Sequence, residues 1–508
     1  MNTDILLYAS FLVPVTGGLL LLSQRTSDLI TADPGNARSG KAQNTRDTIS
    51  IITATILLAI IVSFYPTVLA GNTPSVTLAE PIEGLGIVFT VEPLGLLFAT
   101  VASGLWILTT IYAIGYMRGA GESHQTRFFL CFAISIAAAI GIAFAGNLLT
   151  LFVFYEMLTL ATYPLVTHKG NEDARRGGRI YLGILMCTSI GLLLFAVLWT
   201  FQLTGTLDFR AGGILEGNVS PGIALILLTM FAFGTGKAAL MPFHRWLPAA
   251  MVAPTPVSAL LHAVAVVKAG VFTILKIVVY VFGIDFIKET GAGTIILWVA
   301  TFTLVVSSLV ALTKDNLKAR LAYSTIGQLS YVVVGAMLAN AAGIVGAAMQ
   351  IATHAMGKIT LFFCAGAIYV AAHKSNISEM RGLGYKMPFT FGAFFIGAFS
   401  IIGLPPLAGS WAKWHLMIGA IDATHWLIVA AFVLSSLLNI AYLIPVAARA
   451  FYMTPAQRIS SDSSTIEEAP LFCVVPLCIT ATGCLLLFIF GDALDHLIRL
   501  IPLSSGAP

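Results

Sequence analysis

Charge is what this chain has least of. Lysine and arginine number 27 and aspartate and glutamate 23 among 508 residues, so one residue in ten is charged, while 58% are apolar. A soluble protein of this size cannot hide that much apolar surface, and a mean hydropathy of +0.92 points the same way. The net charge of +4 is too small to imply nucleic acid as a partner. Cysteine is sparse too. Cys131, Cys187, Cys364, Cys473, Cys478 and Cys484 all lie in apolar stretches and none forms a CxxC pair, which favours packing over disulfide or metal chemistry. The sequence has no Walker A motif, no dinucleotide fingerprint after a strand and no metal-ligand cluster in a loop. No cofactor and no metal is therefore expected, and whatever the chain moves must be driven by an ion gradient or by partner subunits. The first apolar run, 5–22, has no basic leading region and is followed by Arg25, which argues against a cleaved signal peptide.

Long hydrophobic runs are what the chain has instead. A membrane span needs about 20 apolar residues. Runs of that kind fall at 4–23, 49–70, 93–115, 127–145, 147–167, 180–202, 222–241, 253–282, 293–313, 320–339, 342–371, 388–418, 424–448 and 470–498. The reading is an all-α polytopic membrane protein with about fourteen spans. The loop at 24–48 is the longest and reads as a flexible connection, and no loop can hold a soluble domain. Loops after odd-numbered spans hold nineteen of the basic residues. Loops after even-numbered spans, with the C-terminus, hold only Arg210, Lys288 and Arg499. That asymmetry predicts a cell (inner) membrane protein with both termini outside and an even span count. Trp106, Tyr112, Tyr116, Trp246, Trp411, Trp414 and Trp426 lie mostly near span ends, as an interfacial belt requires.

The remaining basic residues interrupt the spans. Lys237, Lys268, Lys276, Lys358 and Lys413, together with Glu156, sit in apolar segments. A charge at mid-bilayer costs at least about 2.5–3.5 kcal/mol, so such groups persist mainly where they pair or line a polar path. Glu156 falls in the middle of span 5, where a lysine partner would hold it ionised. Lys237 is flanked by Gly234 and Gly236 and followed by Pro242, a pattern that breaks span 7 at the lysine. Lys413 follows Gly403, Pro405, Pro406 and Gly409, which break span 12 in the same way. Two interrupted spans in corresponding positions indicate an internally repeated transporter. Spans 4–8 and 9–13 would be two inverted five-helix repeats. The chain then divides into 1–120 with three leading spans, 121–283 and 284–452 with one repeat each, and 453–508 with the last span. Span 8 carries His262 and Lys268, both candidate proton carriers, although a lone membrane histidine is as often a packing residue. Lys276 lies nearer the end of that span, where it either snorkels or takes part. His354 and Lys358 are four apart on one helical face, so their protons cannot be independent and one can pass to the other.

Five segments carry a resemblance: FVFYEMLTLATYPLV, GKAALMPFHRWLPAAMVAPTPVSALLHAVAVVKAGVF, DNLKARLAYSTIGQLSYV, THAMGKITLFFCAGAI and GLPPLAGSWAKW. They resemble the proton-translocating antiporter-like family, over roughly residues 90–450. That family includes the membrane-arm subunits of respiratory complex I and the large subunits of Mrp-type Na+/H+ antiporters. The resemblance implies fourteen helices with inverted repeats. It also implies that Glu156 and Lys237 are partners, and that Lys268, His262, His354, Lys358 and Lys413 continue a relay. Lysine at 413 and the short stretch after span 14 are most similar to the D-type large component of Mrp antiporters.

The expected function is then a proton- and cation-translocating subunit of a Mrp-type Na+(K+)/H+ antiporter, working among other subunits in the bilayer on H+ and Na+ or K+. The alternative is a proton-pumping subunit of a redox-driven complex, a quinone oxidoreductase or membrane-bound hydrogenase. The chain would count as part of a translocating enzyme only in that second setting. A b-type haem or quinone protein would need paired axial histidines. His262 and His354 are the only mid-span candidates, and each is better explained beside its lysine.

Overall fold

Asparagine starts the helices that matter most. Its side-chain oxygen accepts an orphan backbone N–H of the first turn, a cap that contributes about 1 kcal/mol. Asn147 caps α5 (Leu148–Val166) and Asn171 caps α6 (Glu172–Thr188), which runs on through a π turn to Thr204. Asn316 caps α10 (Leu317–Met337) and Asn340 caps α11 (Ala341–Ala372). Asn316 and Asn340 are the same 24 residues apart as Asn147 and Asn171. The likeness extends to the chain that follows. Leu148 N donates to Leu207 O at 3.0 Å, and Leu317 N donates to Ser375 O at 2.9 Å. Bridges join Asn147 to Asp208 and Asn316 to Asn376.

The computed structural model describes residues 3–22, 37–82, 85–260, 264–452 and 466–503. The chain opens with α1 (Thr3–Leu22) and α2 (Ala37–Val62), then a hairpin of β1 (Ser75–Ile82) and β2 (Leu85–Thr90). α3 (Pro93–Gly119) and α4 (Gln125–Ala143) lead into α5 and α6. α7 (Pro221–Gly234) stops short, and α8 (Val266–Ile277) continues as a π turn before the chain bends by 82° into Ile284–Thr290. After α9 (Thr294–Thr313), α10 and α11 come α12 (Pro388–Ile402), α13 (Gly409–Asp422), α14 (Trp426–Ala450), α15 (Leu471–Ile489) and α16 (Gly491–Arg499).

Among the described residues, ten helices are long and apolar enough to cross a membrane, or eleven if the bent pair at α8 is one span. The fold is helical and polytopic, with fewer such helices than the fourteen expected. α7 and α12 are apolar but short, at 14 and 15 residues. α10 has 21 residues but carries Lys318, Arg320, Ser324, Gln328 and Ser330, so its composition is not that of a lipid-facing helix. One expectation needs correction: the segment 24–48 is not all loop, because α2 begins at Ala37. The all-α chain also carries one hairpin, which pairs Ser75 with Thr90, Val76 with Phe89 and Thr77 with Val88, where β-branched residues favour strand. Its strands of eight and six residues are too short to span a bilayer.

Candidate functional site

Both breaks fall where glycine and proline predict them, and each leaves a lysine at the end of a helix. α7 ends at Gly234, Lys237 sits in a 3-10 turn of Gly236–Ala238, and Ala239 turns left-handed at φ 55°. α8 packs directly on this turn. A methyl group at Gly270 would collide with the backbone of Lys237 and Ala238, so only glycine fits there. α12 ends at Gly403, left-handed at φ 90°, and Lys413 lies one turn into α13.

Lys237 is fully buried. Its Nζ donates to the Tyr155 carbonyl at 2.8 Å and to Thr159 Oγ1 at 2.6 Å, and lies 3.1 Å from the centre of the Tyr155 ring. Tyr155 also holds the lysine backbone, accepting from Lys237 N at 3.1 Å. The expected Glu156–Lys237 ion pair is not formed among the described residues. The two carboxylate oxygens of Glu156 are buried without a hydrogen-bond partner there, one residue away from the carbonyl that the lysine uses. A carboxylate left so is costly. The site thus holds a lysine and an acid close in the fold and unpaired.

Lys268 and Lys358 are also fully buried. Lys268 Nζ lies 2.6 Å from His354 Nδ1, joining α8 to α11. Lys358, one turn along α11, donates to Ser324 Oγ of α10 at 2.8 Å. Ser324 Oγ lies 2.9 Å from the Tyr442 hydroxyl, which also hydrogen-bonds Asn439; when the single tyrosine proton goes to Asn439, the serine hydroxyl donates to Tyr442. On the same α10–α11 interface Gln350 Nε2 donates to Gln328 Oε1 at 2.7 Å. Lys413, half-buried, donates to the Ile402 carbonyl at 2.8 Å and to Ser436 Oγ at 3.1 Å, and faces the Tyr331 ring at 4.9 Å. A lysine at the C-terminal carbonyls of a helix is electrostatically well placed. His262 lies outside the described residues.

The sequence reading therefore found the cations and missed most of what they touch. Tyr155, Thr159, Ser324 and Tyr442 are polar residues of ordinary frequency, legible only as interruptions of apolar spans. Lys276 does not snorkel. It is 1% exposed, pairs with Glu92 at 3.1 Å and donates to Ala145 O at 2.7 Å. In the sequence Glu92 precedes Pro93 and reads as a helix start. It is that as well, accepting from Leu94 N and Gly95 N at 2.9 Å each.

The family described as "NADH:quinone oxidoreductase/Mrp antiporter, TM" matches residues 145–439. NADH-quinone oxidoreductase subunit N of Desulforudis audaxviator is 31% identical over 427 residues, 80% of this chain and 83% of that protein. Several other curated relatives, such as chain 5 of the NAD(P)H-quinone oxidoreductase of Synechocystis, are about twice the length the chain spans on them, 49% being covered in that case. Two solved structures share the fold across nearly the whole of both chains. The membrane-bound sulfane sulfur reductase, an archaeal respiratory membrane complex, gives a TM-score of 0.84 at 19% identity, covering 98% of each chain. The Mrp complex from Dietzia sp. gives 0.82 at 21% identity, covering 99% of this chain and 97% of that one. Over more than half its length by family match, and over most of its length by relatedness to subunit N, the chain belongs to the NADH:quinone oxidoreductase/Mrp antiporter transmembrane family.

Proposed function

We propose that this chain is a proton-translocating membrane subunit of a multi-subunit complex, with Glu156, Lys237, Lys268, His262, His354, Lys358 and Lys413 as its relay. The observation that carries the reading is the Lys268–His354 contact at 2.6 Å. It ties the broken-helix lysine side of one half to that of the other through two fully buried groups. Three buried lysines in one interior are hard to explain as scaffolding, since each costs several kcal/mol unless used.

The mechanism follows from the contacts. With Glu156 apart from Lys237, the ammonium relies on a carbonyl, a hydroxyl and a ring face. Moving the carboxylate in stabilises the charged lysine, and moving it away favours proton transfer onward to the Lys268–His354 pair. Lys358, one turn from His354, passes the charge toward Lys413. The paired asparagine caps and matching bridges support two inverted five-helix repeats, spans 4–8 and 9–13, within fourteen spans. The same reading keeps the division at 121–283 and 284–452 and both termini on the outer side.

Two settings use this relay. In a Mrp-type Na+(K+)/H+ antiporter, where Lys413 favours the D-type role, a cation gradient drives it. In a redox-driven complex, favoured by the likeness to subunit N, electron transfer in partner subunits drives it. The test uses inverted vesicles from an antiporter-deficient host expressing this chain with its operon neighbours. A proton gradient that collapses on Na+ addition, and does not in Lys237→Ala, supports the antiporter. Pumping on NADH or hydrogenase substrate with no Na+ response supports the redox setting. Full transport by Lys237→Ala in either assay overturns the relay.

A further inference from the structure

The Glu92–Lys276 pair is not part of the relay above, yet it is buried at the end of the same helix. Tyr280 joins it, donating to Glu92 Oε2 at 2.6 Å. The ammonium of Lys276 also lies 4.8 Å from the centre of the Phe209 ring. This cluster forms the inner wall of a cavity of about 440 Å³, whose rim includes Ala211 and Arg499. Arg499 is anchored to Asp495 at 2.5 Å and is 62% exposed.

The rim is assembled from one set of chain segments: the stretch after α2, the start of α3, the α4–α5 and α6–α7 connections, and the segment after α16. All of these belong to the side poor in lysine and arginine. A separate cavity of about 180 Å³ is lined by Lys169 and Lys374, from connections on the basic side, and by Lys318 at the start of α10. No connection contributes to both. The larger cavity is therefore confined to the side that the charge asymmetry makes outer.

What links it to the relay is α8. Lys276 lies eight residues beyond Lys268 on that helix, about 12 Å by helical rise, and on a neighbouring face. Thr273, three residues before Lys276, is about 60° around the helix from Lys276 and about 140° from Lys268, and its hydroxyl is buried with no hydrogen-bond partner among the described residues. A buried hydroxyl without a partner needs a polar neighbour that the protein does not supply. The cavity, the buried acid–lysine pair and the unsatisfied hydroxyl thus gather at the end of the helix that carries Lys268. A structural ion pair alone accounts for the pair and not for the hydroxyl or the opening.

We propose that this cavity is a water-filled port of the relay on the outer side, through which protons pass between bulk water and Lys268 by way of Lys276. The inference rests on the relay reading. The port belongs to the half of the molecule that contains Lys237, so that half has its own opening and does not depend on Lys413 for contact with the outer side. Glu92 holds the Lys276 ammonium in place, and Tyr280 and Arg499 are the other ionisable groups facing it.

The test uses the intact complex in vesicles, with Ala211→Cys as the probe at the rim. Ala211 is exposed and makes no polar contact through its side chain. The variant is treated with a bulky membrane-impermeant thiosulfonate, and the parent chain treated alike controls for its own cysteines. Complete labelling that lowers transport fivefold or more, with the treated parent unchanged, supports the port. Lys276→Met, assembled normally on a native gel, is expected to lower transport by at least a similar factor. Complete labelling with undiminished transport overturns the proposal, as does a cysteine that cannot be labelled from either side. If the untreated parent shows no transport dependent on Lys237, it is the relay itself that has failed, a result distinct from either.

Discussion

Lys268 and His354 share one short contact, 2.6 Å between Nζ and Nδ1. At that distance one of the two nitrogens donates and the other accepts, so the pair holds a proton that either partner can carry. They stand on α8 and α11, in different halves of the chain. If this contact is the bridge of the relay, the two residues act as a unit, and groups that act as a unit are not additive. Lys268→Met and His354→Gln are each expected to lower transport by about tenfold or more. The double variant should be no worse than the poorer single. Rates measured in vesicles, with assembly checked on native gels, decide this. Multiplicative losses would mean that the two residues act separately.

Thr159 should tune the first site and Glu156 should control it. Lys237 donates to the Thr159 hydroxyl at 2.6 Å, and hydrogen bonds to charged groups contribute about 1.5–3 kcal/mol. Removing that acceptor in Thr159→Val leaves Lys237 leaning on the Tyr155 carbonyl and, when it approaches, on Glu156. The expected outcome is a change in transport rate of a few-fold with assembly intact. Glu156→Gln, which removes the neighbouring carboxylate charge, should bring near-complete loss in the same assay. Equal effects from the two substitutions would argue against a mobile Glu156.

How much of this could be read beforehand differs by feature. The cations and both breaks were legible, because a lysine in an apolar run and a Gly/Pro cluster are conspicuous against a uniform background. The paired caps Asn147/Asn171 and Asn316/Asn340 were not, since single asparagines carry no sign of their partners until helices are seen to start there. Hydropathy also left Lys276 open between snorkelling and taking part, because it lies nearer the end of its span. Its fate was decided by Glu92, 184 residues away, and tertiary pairing of that kind leaves no local trace.

The packing of α8 on the break makes a stability prediction. A methyl group at Gly270 would overlap the Lys237 and Ala238 backbone, and overpacking of this kind costs about 1–3 kcal/mol. Gly270→Ala should lower both the yield of assembled complex and its thermal midpoint. The control is Gly183→Ala in α6, where an added methyl meets nothing within 4 Å and helix propensity favours alanine. That variant should match or exceed the parent.

His168 is expected to make the folded chain sensitive to acid. It lies in the connection between α5 and α6, 4% exposed, edge-on to Phe128. Burial, aided by the Arg127 charge, pulls it from its ordinary value down to about 4. The folded chain therefore refuses a proton that the unfolded chain takes up. Stability from this residue is fully present above pH about 6.5 and is lost as the pH falls toward 4. Thermal midpoints across that window should decline less steeply in His168→Gln than in the parent. Parallel declines would assign the acid sensitivity elsewhere.

At the other end of the proposed relay, Lys413 is held by geometry that discriminates against an acid. Its ammonium meets the Ile402 carbonyl at 2.8 Å, at the C-terminal end of α12, where unpaired carbonyls gather negative partial charge. Lys413→Arg keeps a donor there but must fit a larger planar group beside Tyr331, so transport should fall by several-fold with assembly intact. Lys413→Glu sets a carboxylate against the same carbonyl. It should lose essentially all transport and also lower the thermal midpoint of the assembled complex. Lys413→Met separates the two effects: it removes the proton carrier without adding repulsion, so transport should be lost while the midpoint falls less than in Lys413→Glu. Should Lys413→Glu transport as well as the parent, the helix-end contact would have no part in choosing lysine at this position, and an acid would serve the relay equally.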